Sequence, residues 1–232
     1  MEGLSLQVRD TVEGETLAAP LLAEAPAGYY PCPGNMVLLK ADNHAAAVAR
    51  MLEERGVHYH WSWLPAKIGY DRYDEGMAVF SRAPITAAEN LLLSKSRDYK
   101  YWKTRRALGI CAGDVWYYAV HLGWWKDEEE PFAAQWEKLS QAAGAKQTAF
   151  LLGDFNSEAN VRGEGYDLIL SSGWQDTYQH NIGVDLTLFN EILSVQGNYY
   201  RKETKNYISS LGLSYSHGFP KYMENIGTLR NV

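Results

Sequence analysis

Residues 151–160 read LLGDFNSEAN, an apolar run that ends in Gly-Asp-Phe-Asn. The segment TAFLLGD predicts a buried strand, with Asp154 at its end and Asn156 two residues later. Gly153 permits another group to approach the backbone closely. A carboxylate at this position can act as a base, and an amide can donate to a phosphate oxygen. The alternative is an ordinary turn, because Asp and Asn stabilise turns in many proteins.

The segments around this strand predict an α/β architecture. Residues 42–56, DNHAAAVARMLEERG, predict a helix capped by Asp42 or Asn43, and EEEPFAAQWEKLSQAAG predicts a second helix with an acidic first turn. The segments RRALGICA and DVWYYAVHL predict two strands joined at Gly113-Asp114, a dipeptide typical of hairpins. Helices that alternate with strands, with a hairpin among them, favour a mixed sheet.

Two more side chains could reach the end of the strand TAFLLGD. His121 ends the predicted strand WYYAVHL, so that it and Asp154 share one cleft if the two strands are neighbours. Glu75 precedes the predicted strand GMAVFSR and could accept the other ring N–H of a histidine, as carboxylates do in many histidine sites. Taken alone, His121 is more simply a structural histidine and Glu75 a solvated loop charge. Their combination with Asp154 favours a functional site.

The composition weighs against some classes of function. The chain has 232 residues and a formal net charge of −6, which argues against sequence-independent binding of DNA or RNA but not against a local cationic pocket. The two cysteines lack the spacing of a metal site. The first residues do not read as a signal peptide, and no run of about 18 apolar residues occurs. We therefore expect a cytoplasmic protein, with one domain over residues 1–232.

Three motifs, taken in order and spacing, are more specific than any one of them: EGMAVFSRAPI (75–85), AVHLGWW (119–125) and LLGDFNS (151–157). This combination resembles the endonuclease/exonuclease/phosphatase superfamily, which includes deoxyribonuclease I, apurinic endonucleases and sphingomyelinases. The longer segments WLPAKIGYDRYDEGMAVFSR and GDFNSEANVRGEGYDLILSSGWQDTY are similar to the branch of maltose 6′-phosphate phosphatases. The resemblance covers about residues 30–180.

The resemblance implies both a fold and a reaction. The fold is a four-layer α/β sandwich, in which two packed mixed β-sheets are flanked by helices. The reaction is hydrolysis of a phosphoester assisted by Mg²⁺ or Mn²⁺. Asp154 would orient and deprotonate the attacking water, and Asn156 would hold that water or a phosphoryl oxygen. His121 would donate a hydrogen bond to the phosphate, with Glu75 holding its ring. Such a set suits phosphoester hydrolysis, which depends on positioning and charge neutralisation.

Aromatic residues beside these motifs indicate the substrate class. Trp124 and Trp125 follow His121 closely, and flat apolar rings next to a phosphate site suit the C–H faces of a sugar. Further candidates for the same surface are Trp61, Trp63 and Trp102.

Charged residues near these rings support the same substrate class. Arg105, within KTRR (103–106), would contact the phosphate, although KTRR is also compatible with a solvated strand edge. The run KDEEEP (126–131) is typical of an acidic helix N-terminus, and it would also repel a polyanionic duplex. The expected partner is a small phosphorylated sugar rather than nucleic acid or a membrane.

Both ends of the chain depart from the family pattern. The segment LSLQV (4–8) continues with Val8 where the family has the metal-binding Glu of Leu-Gln-Glu. No Asp-His pair follows Asp154, and the histidine of SHGF (216–219) is preceded by Ser. Residues 1–29 and 181–232 are therefore atypical. We expect a sandwich that is incomplete at both ends, through truncation or a frame shift.

The sequence thus predicts a metal-dependent phosphoester hydrolase, most specifically a phosphatase that acts on a phosphorylated disaccharide such as maltose 6′-phosphate. The metal ligands are unknown, and without the family's Glu the cation is expected to bind weakly. Two alternatives remain open at this stage. One is a phosphodiesterase or nuclease of the same superfamily, and the other is a truncated, non-catalytic domain that binds a sugar phosphate.

Overall fold

The computed structural model describes residues 2–9, 19–176, 180–188, 193–212 and 221–231. The chain divides into two compact units, Met1–Ser172 and Gly173–Val232. The predicted site residues belong to the first unit. The expectation of a single domain over 1–232 stays a prediction.

The first unit alternates strands with helices. Its strands are β1 (Glu2–Val8), β2 (His60–Gly69), β3 (Tyr73–Ser81), β4 (Ile85–Leu92), β5 (Arg106–Ala112), β6 (Val115–His121) and β7 (Ala149–Asp154). Its helices are α1 (His44–Glu53), α2 (Phe132–Gly144) and α3 (Gly165–Ser171). The sequence pattern predicts most of these elements, but neither β1 nor β4.

The first sheet has the strand order β1-β3-β2, and both pairings are antiparallel. The register between β2 and β3 shifts between Pro65 and Lys67, which brings Lys67 opposite Glu75. Such irregularities in a ladder re-aim side chains and are common beside functional sites. In this sheet the shift places Lys67 of β2 next to Glu75 of β3, and the two side chains form an ion pair.

The second sheet has the order β4-β5-β6-β7 and is mixed. Strands β5 and β6 form the predicted hairpin, with Gly113 at φ 61° and Asp114 at φ 63°. Two successive positive φ values match a type I′ turn, which follows the twist of the flanking strands. Strands β6 and β7 run parallel, so their connection must cross over, and it contains α2.

Apolar side chains between the two sheets form the central core. Leu64, Met77 and Val79 of the first sheet belong to one buried cluster with Leu108 and Ile110 of the second. This packing is that of an α/β sandwich, with helices on the outside of the sheets. The predicted fold class is confirmed, with the qualification that the first sheet is antiparallel rather than mixed.

Helix α1 covers the other face of the first sheet. Its buried alanines, Ala45, Ala46 and Ala49, share a cluster with Trp61 and Trp63. Small residues on the helix leave room for the large rings of the strand, so the two surfaces fill space closely.

The two predicted helix starts have different outcomes. The side chain of Asn43 caps α1 by accepting a hydrogen bond from the Ala46 N–H at 3.0 Å, as predicted. Helix α2 begins at Phe132, after Pro131, and has no acidic residue in its first turn. The prediction that KDEEEP forms an acidic helix N-terminus is therefore wrong, and Asp127, Glu129 and Glu130 contact residues between β4 and β5 instead.

The second unit contains β8 (His180–Leu188), β9 (Leu193–Gly212) and β10 (Lys221–Asn231). They form an antiparallel sheet in the order β10-β9-β8. The segment SHGF (216–219) lies outside the described residues. Among the helices of the described residues, none has the length and apolar character needed to cross a membrane. The cytoplasmic location stays a prediction.

Candidate active site

His121 and Asp154 lie side by side at the ends of two neighbouring parallel strands. The register of β6 and β7 pairs Val120 with Gly153 and His121 with Asp154. The backbone N–H of Leu122 donates to the Asp154 carbonyl at 2.9 Å, so the pairing continues one residue beyond β6. The predicted adjacency of the two strands is confirmed, and it brings an imidazole and a carboxylate to one edge of the sheet.

The chain leaves β7 through a tight turn that uses both predicted polar residues. The Asn156 N–H donates to Asp154 Oδ1 at 2.8 Å, and Asn156 Nδ2 donates to the Leu122 carbonyl at 2.7 Å. Asn156 has φ 47°, in the left-handed region that Asn tolerates better than most residues. The turn interpretation and the site interpretation are therefore compatible, because the turn holds the exposed Asp154 carboxylate in place.

Glu75 is buried, and its direct partner is an ammonium group. Lys67 Nζ lies 3.1 Å from Glu75 Oε1, and the two side chains are 11% and 9% exposed. Gly69 makes room for this carboxylate, since a Cβ at that position would overlap the Glu75 side chain. The role expected for Glu75, holding the ring of His121, stays a prediction.

The pKa of His121 shows which charges surround it. Burial lowers this pKa below its ordinary value of 6.5, and the positive charge of Arg105 lowers it further. The carboxylates of Asp154 and Glu75 act in the opposite direction but do not reverse the shift. The half-buried imidazole is therefore neutral at pH 7, and a neutral ring has one N–H to donate and one nitrogen to accept.

Arg105 lies behind the surface of the site rather than on it. Arg105 is 3% exposed to solvent. Its Nη1 donates to the carbonyls of Trp102 at 3.1 Å and Thr104 at 3.4 Å. Its Nε is buried and has no partner within the described residues. With Lys67, Glu75 and His121, it lines a small cavity. Arg105 thus supports a loop, and its direct contact with a phosphate stays a prediction.

The two tryptophans after His121 have different surroundings. Trp124 is 44% exposed, and its ring centre lies 5.8 Å from that of Trp102, which is 51% exposed. Trp125 is half-buried and meets Phe132 edge to face at 5.9 Å. Trp124 and Trp102 therefore form an exposed aromatic surface, whereas Trp125 contributes to packing; its predicted contact with substrate stays a prediction. Trp61 and Trp63 lie in the core beneath α1.

The acids of segment 126–131 form ion pairs and hydrogen bonds with neighbouring loops. Lys103 Nζ lies 2.8 Å from Asp127 Oδ2 and 2.6 Å from Glu129 Oε2. The buried Glu130 accepts the backbone N–H groups of Lys95 at 2.6 Å and Ser96 at 2.7 Å. These acids hold the loop that contains Trp124 against the loop that contains Trp102.

The described residues contain no ready-made cluster of three metal ligands. In the part of the chain that the structure describes, no three His, Cys, Asp or Glu side chains form a group that could hold a metal ion. Lys67 already neutralises Glu75, so Asp154 is the carboxylate left at the strand ends. Mg²⁺ usually takes one or two carboxylates together with water and substrate phosphate. The requirement for a cation therefore stays a prediction.

Lys67 is the site residue that the sequence analysis missed. It stands in the segment HWSWLPAKIG, in which every residue from Trp61 to Gly69 is buried. A lysine inside an otherwise apolar strand has to be paired, because a buried unpaired ammonium is very costly. That pattern indicates a buried acidic partner without saying which one it is.

The fold is shared with a solved protein of known family. The chain is similar to an endonuclease/exonuclease/phosphatase family protein from Leptotrichia buccalis, with a TM-score of 0.57 and 24% identity. The similarity covers 63% of this chain and 60% of that one. It establishes the α/β sandwich fold.

Other similarities are weaker or shorter. The 3′ phosphatase NExo from Neisseria has a TM-score of 0.33 and 21% identity, covering 47% of this chain and 41% of its own. A TonB-dependent receptor P39 from Formosa agariphila is 36% identical over 59 residues. That match covers 25% of this chain and 6% of the receptor. No protein-family model matches the chain.

Proposed function

We propose that this chain is a phosphoester hydrolase of the endonuclease/exonuclease/phosphatase type. The observation that carries the proposal is the pairing of His121 with Asp154 at the ends of two parallel strands. The open edge of such strand ends is where α/β proteins commonly bind ligands. The shared fold supports the same reaction class, and the motifs around both residues resemble that superfamily.

The proposed reaction assigns one task to each side chain. Asp154 orients a water molecule and takes its proton as the water oxygen attacks phosphorus. His121 donates its N–H to a phosphate oxygen, a task that suits the neutral imidazole. The bond from phosphorus to the ester oxygen breaks, and the leaving oxygen takes a proton from solvent. Asn156 holds the water through its amide oxygen, because its amide nitrogen donates to the Leu122 carbonyl. Positioning and electrostatic stabilisation dominate such reactions.

We propose a phosphorylated disaccharide, such as maltose 6′-phosphate, as the substrate. The resemblance to maltose 6′-phosphate phosphatases supports this choice, as does the exposed ring of Trp124 three residues after His121. Aromatic rings pack well against the C–H faces of sugars. The acids Asp127, Glu128 and Glu129 beside the ring disfavour a polyanion such as DNA. A nuclease or other phosphodiesterase is the second candidate, since the superfamily resemblance alone does not distinguish the two.

The test is release of phosphate from maltose 6′-phosphate by the purified chain, with Mg²⁺, with Mn²⁺ and with EDTA. We expect release that Asp154→Asn lowers by about 10²-fold or more, the usual contribution of an acid–base group. The matched control is Asp114→Asn, the same change at an exposed turn residue with positive φ. Both variants should keep the wild-type unfolding midpoint, so that a loss of activity reports on chemistry.

Each alternative outcome has a distinct meaning. Release that persists in EDTA would show that the chain's own residues suffice. Hydrolysis of a bis(p-nitrophenyl) phosphate diester in preference to the sugar phosphate would favour a phosphodiesterase. A folded chain that binds maltose 6′-phosphate without releasing phosphate would be a binding domain, and the proposed reaction would be wrong.

A further inference from the structure

We propose that Trp102 and Trp124 form a preassembled subsite for the sugar ring of the substrate and determine specificity for it. We call these two rings the tryptophan pair. This inference rests on the proposed function, since it names the surface that receives the leaving group. The subsite is occupied by the uncharged, polyhydroxylated sugar ring of a sugar phosphate.

The tryptophan pair is exposed yet held in a defined geometry. The ring centres are 5.8 Å apart, and the ring planes meet at 53°. About half of each residue is open to solvent, at 51% for Trp102 and 44% for Trp124. Two large apolar rings kept open at one place, beside a cleft with polar groups, are typical of a binding surface.

Arg105 supports both rings from below. Its Nη1 donates to the Trp102 carbonyl at 3.1 Å, and its guanidinium carbon lies 5.7 Å from the centre of the Trp124 ring. Arg105 is 3% exposed, so it acts as a fixed support rather than as a mobile surface charge. One buried cation therefore connects the backbone of one tryptophan with the ring of the other.

A second set of contacts joins the two loops at the surface. Lys103 pairs with Asp127 at 2.8 Å and with Glu129 at 2.6 Å, and Tyr101 donates to Glu129 at 2.7 Å. Lys103 Nζ also lies 5.2 Å from the Trp102 ring centre. Because these bonds exist before any ligand arrives, the rings need little reordering on binding, which favours affinity.

The subsite adjoins the proposed phosphate position. Trp124 follows His121 by three residues, and Arg105 lines the same small cavity as His121 and Glu75. Arg105 thus connects the cavity beside His121 with the Trp124 ring, whose centre lies 5.7 Å from its guanidinium carbon.

The surrounding groups favour a sugar over a nucleobase. Rings inclined at 53° form an open angle, which fits the puckered C–H faces of a pyranose better than the parallel stack that a flat base prefers. Glu129 is two-thirds exposed at the rim and can accept from hydroxyl groups. The same carboxylate repels the phosphates that flank a base in a nucleic acid strand.

The test measures binding separately from turnover. In the Asp154→Asn background, isothermal titration calorimetry is performed with maltose 6′-phosphate, maltose and inorganic phosphate. We expect Trp102→Ala to weaken binding of maltose 6′-phosphate about tenfold, as expected for loss of an anchoring aromatic contact, and to leave binding of inorganic phosphate unchanged. Trp102→Phe keeps a ring and should recover most of the affinity. Phe150→Ala removes an exposed ring at the opposite end of β7 from Asp154, and it is the matched control.

In the active chain, the same substitutions should act on KM for the sugar phosphate. Phe150→Ala, which removes a ring outside the candidate site, should leave both KM and kcat for the sugar phosphate unchanged. A chain that releases no phosphate but still shows the Trp102 effect on binding would overturn the proposed function and leave the subsite standing.

Any one of several results would overturn the subsite itself. They are equal binding of maltose 6′-phosphate and inorganic phosphate, no effect of Trp102→Ala, an equal effect of Phe150→Ala, and displacement of maltose 6′-phosphate by a short 3′-phosphorylated oligonucleotide at lower concentration. The subsite would also be overturned if none of the three ligands bound to the chain.

Discussion

The strand ends and the tryptophan pair are two parts of one candidate site, and they are held in place by different forces. His121 and Asp154 are placed by backbone hydrogen bonds between β6 and β7, with a turn at Asn156 as an additional constraint. Trp102 and Trp124 are placed by side chains, through Arg105 and the Lys103 ion pairs. The difference indicates that the strand ends tolerate little change, whereas the tryptophan surface can vary while the fold is kept.

The strongest test of this contrast is Lys67→Met, which leaves the buried Glu75 carboxylate unpaired. We expect a loss of about 3 kcal/mol or more in the free energy of unfolding, because removing one partner of a buried pair leaves the other charge buried without a partner. Urea unfolding measures it. Lys67→Met combined with Glu75→Leu should recover most of the loss, and the exposed Lys100→Met is the control. A loss below about 1 kcal/mol, the size expected at the surface, would mean that the pair is effectively solvated.

Asn156→Ala tests the turn at the strand end. It removes the bond to the Leu122 carbonyl and places Ala at φ 47°, so we expect a loss of about 2 kcal/mol in unfolding free energy. Asn156→Gly keeps the backbone conformation and loses only the amide, so its loss should be about 1 kcal/mol. Both variants should lose phosphate release. Equal stability of the two would show that φ at this position carries no strain.

His121 predicts a pH dependence of stability. Its folded pKa lies below the ordinary 6.5, so the unfolded chain binds the proton more readily over that interval. The contribution of His121 is fully present above about pH 6.5, and stability falls as pH drops from there towards the folded pKa. Melting temperatures from pH 7.5 down to 5 should show a shallower fall for His121→Gln. The exposed His44→Gln should follow the wild type; a parallel fall for His121→Gln would contradict the prediction.

The smallest effect on stability is expected for Lys103→Met, on the side of the tryptophan pair. Its pair with Glu129 is at the surface, and its buried partner Asp127 still accepts the backbone N–H groups of Glu129 and Glu130, so the urea midpoint should fall less than for Lys67→Met. We expect a few-fold rise in KM for the sugar phosphate, since the two loops lose a connection. Lys126→Met, at a surface pair with Glu164, is the control. A loss of stability like that of Lys67→Met would remove the distinction between the two regions.

The sequence predicted the strand ends well because their signals are local. A hydrophobic run that stops at Gly-Asp, a Gly-Asp hairpin and the capping residue Asn43 each depend on neighbours within a few positions. The first turn of α2 was predicted wrongly for the complementary reason. Asp127, Glu129 and Glu130 have partners about 25 to 35 residues away, between β4 and β5, whereas rules that consider only neighbouring residues assign these acids to the nearest helix.

The sequence by itself determined the α/β class, the order of the central elements and the placement of Asp154, Asn156 and His121 at element ends. Periodicity and turn chemistry act over one element and are visible in the chain. Only the tertiary structure decided that Glu75 pairs with Lys67, that Arg105 lies beneath Trp124, and that Trp102 rather than Trp125 completes the exposed aromatic surface. Those contacts join side chains from separate elements, and packing alone selects which of several compatible partners meet.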